Sequence, residues 1–300
     1  MDARFLFVIQ LLRTTYACLG VMCLETAWKE LLDILPPWMR GEVDKQGRSA
    51  LQEIRLRLGN PVRMILADKT VTFGREIQSQ DLQYVINASC RYSPWTVAST
   101  QQGYITAPGG HRIGLCGQIS IRDGQIHGIS TLRSLNIRIA RDFPGVSGNL
   151  WLRRENILIL GPPGSGKTTF IRDLIRRRSK VENVSVVDER GEIFPLEASF
   201  PMGDNTDILS GCSKSVGLNI LTRTMNPQCI AVDEITQAED CAALVEAGWC
   251  GVSLLATAHA SSIQDFQTRP AYRTLAHSEL FHTAVVLRRD KSWNLERIVV

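Results

Sequence analysis

Hydrophobic positions follow two different rhythms along this 300-residue chain. From Leu24 to Leu35, the side chains of Leu24, Trp28, Leu31, Leu32 and Leu35 fall on one helical face, and Pro36-Pro37 ends the pattern. Alternation follows. Glu53 to Leu58 sets Ile54, Leu56 and Leu58 against Glu53, Arg55 and Arg57, as a half-buried strand does. The turn Gly59-Asn60-Pro61 leads into a second strand, Val62 to Leu66, and Leu82 to Cys90 reads as a helix. Gly103 to Ile105, Ile113 to Cys116, Ile119 to Ile121 and Ile126 to Ile129 read as short strands. Gly109-Gly110 and Asp123-Gly124 punctuate them, the latter a strong hairpin signal. Residues 25–148 therefore predict a small α+β domain closed by the linker Pro144 to Asn149.

Beyond the linker the grammar becomes strand, glycine loop, helix, strand, helix, strand. That order predicts a mostly parallel α/β sheet covered by helices over residues 149–300. Four apolar runs serve as its strands: Asn156 to Leu160, Val184 to Asp188, Cys229 to Val232 and Ser253 to Ala256. Arg172, Arg176, Arg177, Arg178 and Lys180 follow the glycine loop on one helix and read as a solvated face.

The glycine loop carries the most specific chemistry. Gly161, Pro162, Pro163, Gly164, Ser165, Gly166, Lys167, Thr168 and Thr169 fit G-x-x-x-x-G-K-[ST] directly after a strand and before a helix. Glycines permit the backbone angles that turn several N–H groups toward a phosphate, and the helix start adds its positive end. Lys167 is placed for the β and γ phosphates of ATP, and the Thr168 hydroxyl for Mg²⁺. Asp233 and Glu234 end another strand of the same sheet. Their tandem assigns Asp233 to the Mg²⁺ shell and Glu234 to the attacking water. Glu189, after the Val184 strand, is a further candidate. His259, at the tip of the Ser253 strand, is placed to sense the γ phosphate. Arg223 either stabilises phosphate charge or pairs with an acid.

Composition adds limits. The chain is 44% hydrophobic and 21% charged, so it can bury a sizeable core and wholesale disorder is excluded. A formal charge of +4 is too weak to argue for nucleic acid, and no stretch interleaves aromatic with basic residues. The eight cysteines form no CxxC pair and no zinc spacing with histidine, which reads as reduced thiols in a cytosolic protein. Residues 1–24 stand apart. Their apolar run, interrupted by Arg13, falls short of the ~18 uncharged residues of a spanning helix. They read as an extension before a true start at Met22, as a membrane-contacting helix, or as a signal peptide, which an ATP site opposes.

The phrases Leu160 to Thr169, Val187 to Ile193 and Met225 to Ile235, with Thr257 to Ala260, resemble the secretion-ATPase branch of RecA/ASCE-like P-loop proteins. Gln102 to Thr106, Gly109 to Leu115 and Ser134 to Arg141 make the stage III sporulation protein AA family the closer resemblance. That resemblance implies a Mg²⁺-dependent ATPase, a homo-hexamer, cytoplasmic and peripheral at a membrane on the mother-cell side. It would drive a secretion-like complex between mother cell and forespore, docked on the next-encoded sporulation membrane protein. It also implies that N-terminal-domain arginines close over the nucleotide, with Arg112, Arg138 and Arg141 as candidates. The alternative is a nucleic-acid-binding P-loop ATPase, which would need a basic groove. A small-molecule kinase is disfavoured by the tandem Asp233-Glu234.

Overall fold

The structure, a computed structural model, describes residues 27–298 apart from 48–49, 92–102, 123–124, 149, 151–153 and 199. Residues 1–24 and the Asp123-Gly124 turn thus lie outside the described residues. Two compact units divide the chain: one runs through residue 142 and adds 195–199, and the other comprises 143–194 and 200–300.

In the first unit, helical residues 27–34 (α1) bury Trp28, Leu31 and Ile34, much as the periodicity predicts. Pro36-Pro37 does end α1, but Pro37 also opens a second helix, α2 (Pro37–Gly47). Proline is at home in a first helical turn, where no N–H partner is needed. Six strands form one antiparallel sheet: β1 (Leu51–Arg57), β2 (Val62–Leu66), β3 (Thr70–Phe73), β4 (Tyr104–Ala107), β5 (His111–Arg122) and β6 (Gln125–Arg138). Their order is β3-β2-β1-β6-β5-β4, with α3 (Ser79–Ser89) packed against it. The segments read as separate short strands from residue 113 to 129 are continuous stretches of β5 and β6, whose pairing absorbs three register shifts. One face buries Ile54, Leu56, Met64, Ile105, Ile113 and Ile137 against Leu31, Leu35 and Leu82.

His111 anchors this core. It is fully buried, its Nε2 lies 2.8 Å from the Ala27 carbonyl, and its Nδ1 accepts from the Ala140 N–H at 3.1 Å. An accepting Nδ1 places the proton on Nε2, which donates to Ala27.

The second unit contains a seven-stranded sheet: β7 (Ile157–Leu160), β8 (Val184–Asp188), β9 (Thr206–Ser210), β10 (Cys229–Ile235), β11 (Ser253–Ala258), β12 (Thr283–Leu287) and β13 (Trp293–Arg297). The order is β13-β12-β7-β11-β10-β8-β9, parallel except for β13. Leu158 and Leu160 join one cluster with Leu218 of α5 (Lys214–Thr224), Leu244 of α6 (Ala238–Trp249) and Leu275 of α8 (Arg273–Ala276). The helix α4 (Lys167–Arg178) packs against β7, β10 and β11, and its Phe170, Ile171 and Ile175 are buried. The short helix α7 (Ile263–Thr268) follows β11.

Most of the basic run is not a solvated face: Arg177 is half-buried, and Lys180, past the end of α4, is exposed as expected, but the other three are not. Arg172, Arg176 and Arg178 are only 4–6% exposed. Arg172 donates to the carbonyls of Glu192 and Ile193, and Arg176 donates to Pro201 O at 2.9 Å and to Asp173 at 3.2 Å. Arg178 pairs with the buried Glu182 at 3.4 Å and donates to Ser253 Oγ at 3.1 Å. Asp173 also accepts from Gly145 N at 2.8 Å and Ser147 N at 3.0 Å, so the Pro/Gly/Ser stretch read as a linker is fastened to α4. Burial of a guanidinium is tolerated only with such saturation, because its five donors demand partners.

Two stability outcomes follow. Burial pushes His111 down from 6.5 to about 4. The unfolded chain then binds the extra proton between those values, so stability falls as pH drops from 6.5 toward 4. Urea midpoints should show about 2 kcal/mol lost between pH 7 and pH 5, and His111→Asn should flatten that dependence whatever its own cost. Arg178→Leu strands the Glu182 carboxylate and should cost ~3–5 kcal/mol, with Glu182→Leu restoring part of it in the double variant.

Candidate functional site

The glycine loop joins β7 to α4, and its residues take the backbone angles that the sequence pattern requires. Gly164 and Gly166 lie at φ 74° and 99°. A Cβ on Gly161 would meet Ser165 Oγ at 2.5 Å and the Leu287 carbonyl at 3.0 Å. Ser165 Oγ is buried and has no hydrogen-bond partner, an orphan hydroxyl inside an anion-shaped loop. The cradle and this hydroxyl fit a phosphate-bearing ligand.

Strand order then decides which side chains meet. β11 sits between β7 and β10, so three parallel strands deliver their C-terminal ends to one rim. Thr168 Oγ1, in the first turn of α4, donates to Asp233 Oδ2 at 2.6 Å. A hydroxyl and a carboxylate side by side are hard oxygen donors of the kind that hold Mg²⁺. The Lys167 ammonium lies 2.9 Å from Gly161 O and 3.0 Å from His259 Nδ1, and His259 Nε2 lies 2.8 Å from Glu234 Oε1. Since an ammonium can only donate, Nδ1 accepts and Nε2–H donates to Glu234. One imidazole thus spans from the loop lysine to the glutamate. Burial lowers the pKa of Lys167, a shift that Asp233 and Glu234 oppose. For Glu234 burial acts upward, but the His259 hydrogen bond and the charge of Arg190, 2.6 Å away, bring it below the usual carboxylate range. Glu234 is thereby held ionised, the form a proton acceptor needs.

Thr257, the penultimate residue of β11, organises the pair. Its Oγ1 donates to Asp233 Oδ1 and accepts the Glu234 backbone N–H at 2.7 Å. Glu234 lies at φ 54°, where β10 slips register against β11 between Val232 and Ile235. A left-handed glutamate costs of order 1 kcal/mol and persists only where neighbours hold it. Thr257 supplies that hold.

The remaining candidates are distributed as follows. Glu189 pairs with Lys214 at the tip of β8, one strand beyond Glu234. Asp188 is buried and accepts from the backbone N–H groups of Glu192, Ile193 and Phe194 at 2.8–3.0 Å, so it shapes a loop. Burial raises its pKa. Pro162, Pro163 and Thr169 lie in or beside the loop turn, where the pattern places them. Arg223 is exposed on the last turn of α5, which leads to the N-terminal end of β10. That is the opposite rim, and the structure does not bring it to Lys167. Arg112, Arg138 and Arg141 belong to the first unit. Arg138 is exposed, Arg112 stacks 3.9 Å over the Tyr104 ring, and Arg141 donates to the Leu51 carbonyl.

Sequence reasoning missed Thr257, Arg190 and Lys291. The first two stood inside quoted phrases but were passed over for His259 and Glu189. Lys291, which donates to Gly164 O, carries no sequence signal at all.

Among the described residues, no helix is long and apolar enough to cross a membrane. Comparison with solved structures shows the fold of secretion and pilus ATPases. The pilus retraction motor PilT with bound ADP superposes with a TM-score of 0.58 at 16% identity, covering 87% of this chain and 82% of that one. The ATPase DotB of Legionella pneumophila gives 0.53 at 18% identity, covering 88% and 80%. In sequence, the stage III sporulation protein AA of Bacillus subtilis is 34% identical over 283 residues, 87% of this chain and 91% of that protein. The family model described as sporulation stage III, protein AA matches residues 29–296. With its matching phrases spread over both units, this chain belongs to the sporulation stage III protein AA family.

Proposed function

We propose that this chain hydrolyses ATP and serves as the motor of a sporulation-associated, secretion-like membrane complex between mother cell and forespore. One observation carries the hydrolytic reading: loop lysine, sheet histidine and strand-tip glutamate form a continuous hydrogen-bonded chain on the same rim as the Thr168–Asp233 pair. The loop from Gly161 to Thr169 surrounds the triphosphate, and Lys167 leaves its carbonyl partners for the β and γ oxygens. Thr168 and Asp233 hold Mg²⁺, which neutralises phosphate charge when bound. Glu234, ionised and hydrogen-bonded to His259, takes the proton from the attacking water. His259 couples the state of the phosphate end to the base. Glu189, paired with Lys214, adds to the field beside Glu234.

Family membership and the secretion-ATPase fold support the biological reading. In it the chain acts as a homo-hexamer, cytoplasmic and peripheral at the mother-cell side of the membrane. Its docking partner is the next-encoded sporulation membrane protein. Arg112, Arg138 or Arg141 closes over the nucleotide, and Arg223 acts on phosphate only from a neighbouring subunit.

Lys167→Ala should abolish binding of a fluorescent ATP analogue. Glu234→Gln should retain that binding while its turnover falls roughly 10²–10⁴-fold; undiminished hydrolysis would move the base elsewhere, Glu189 first. Thr257→Val keeps the shape of the side chain but removes the hydroxyl that positions Asp233 and Glu234. It should lower kcat about tenfold or more, with a smaller change in the KM for ATP. An unchanged kcat would deny Thr257 a positioning role.

A further inference from the structure

The hairpin between β12 and β13 ends in a tip that breaks a backbone preference. The Arg288 N–H donates to the Ser292 carbonyl at 2.9 Å, and the Lys291 N–H donates to the Arg288 carbonyl at 3.1 Å. These bonds close a three-residue loop, Arg289-Asp290-Lys291, in which a tight turn is followed by a left-handed residue. Lys291 is that residue, at φ 71°. Glycine is the ordinary occupant of the position, because a side chain is strained there. Asp290 stiffens the tip: its Oδ1 accepts from the Ser292 N–H at 3.0 Å and from the Ser292 hydroxyl at 2.6 Å. The tip thus keeps a strained lysine where a glycine would sit at ease, and such outliers persist where their surroundings hold them.

What Lys291 touches is the glycine loop. Its ammonium donates to the Gly164 carbonyl, and its Cδ lies 3.9 Å from where a Cβ on Gly166 would stand. The base of the same hairpin is seated at both ends of that loop. The Leu287 carbonyl lies 3.0 Å from the position of a Cβ on Gly161, and the Trp293 ring meets Phe170 of α4 edge-on at 5.3 Å. Lys291 therefore reaches the loop from a braced support. A loop that binds an anion must aim N–H groups at it and keep its carbonyls elsewhere. Lys167 takes the carbonyls of Gly161 and Pro162, and the Phe170 N–H takes that of Gly166. Gly164 lies between them at the exposed crest, at φ 74°, with the backbone freedom of a glycine. Its carbonyl is engaged by Lys291, from the side of β7 opposite to His259 and Glu234.

We propose that Lys291 is a positioning residue for nucleotide: it pins the crest of the loop, so that the Gly164 carbonyl does not turn toward the phosphates. The inference rests on the reading of this loop as an ATP site. A loop already held in its binding shape loses less conformational freedom when the anion arrives, so the clamp tightens every ligand that presents the same phosphates. Lys291 stands apart from Glu234, so its effect falls on binding and little on the chemical step. A lysine that only occupied a surface turn would behave in the opposite way. Its replacement by glycine would relieve the backbone and leave binding untouched.

The test uses the full chain with Lys291→Gly, which suits the left-handed backbone, and Lys291→Arg, which keeps a donor. A fluorescent ADP analogue is displaced by ADP, by a non-hydrolysable ATP analogue and by inorganic tripolyphosphate, all with Mg²⁺, and thermal melts are taken without ligand. Lys291→Gly should weaken all three ligands alike, about tenfold each, as loss of one charged hydrogen bond predicts. The KM for ATP should rise by a similar factor while kcat changes far less. The ligand-free melting temperature should equal or exceed that of the parent, and Lys291→Arg should recover most of the affinity. Undiminished affinity in Lys291→Gly, or a lower ligand-free melt, overturns the proposal. A loss confined to the ATP analogue would make Lys291 a direct partner of the γ phosphate. A loss that spares tripolyphosphate would make it a partner of the nucleoside. Either outcome also overturns the positioning role while leaving the ATP site standing. A parent chain that binds none of the three ligands overturns the ATP-site reading and this inference together.

Discussion

Thr257 makes two hydrogen bonds on which the geometry of the candidate site depends: one to the Asp233 carboxylate and one from the Glu234 backbone. Adjacent acidic residues on a regular strand would point to opposite faces. The register slip and the left-handed Glu234 break that alternation, so that Asp233 meets Thr168 while Glu234 meets His259. A threonine on the intervening strand makes the distortion sustainable, because its hydroxyl both donates and accepts. Strain at this point is the local cost of turning two adjacent carboxylates toward different partners, Thr168 and His259, at one rim.

The second constraint is the saturation of α4. The helix that presents Lys167 and Thr168 is held by arginines whose donors end on loop carbonyls and buried acids. Asp173 reaches back to Gly145 and Ser147. A helix start that holds Lys167 and Thr168 against His259 and Asp233 needs a rigid support, and buried guanidinium networks supply one through fixed, directional bonds.

Much of this was legible in the chain. The strand–loop–helix phrase, the tandem carboxylates and the strand-tip histidine each occupy a short window, and their chemistry depends on local spacing. Parallel strands share one ligand edge, so the meeting of Lys167 with Glu234 follows from fold class. What the windows hid were roles set by partners far away. Arg172, Arg176 and Arg178 look like a charged face because periodicity reports polarity, not what lies opposite. Arg223 looked eligible because it precedes a functional strand, yet a helix leading into a strand ends at that strand's start, away from the site. Arg190 and Thr257 were visible but undistinguished among neighbours of greater chemical promise.

The sequence by itself determined the strand–glycine loop–helix phrase, the α/β class of the second half, the α+β class of the first and the family. All of these rest on contiguous residues whose backbone preferences and hydrophobic periods act locally. Only the tertiary structure decided that Thr257 bridges two carboxylates, that His259 joins Lys167 to Glu234, and that Lys291 closes on Gly164. Those groupings arise from strand order and register, which bring together residues as many as 127 positions apart, and no local pattern encodes which strand will lie beside which.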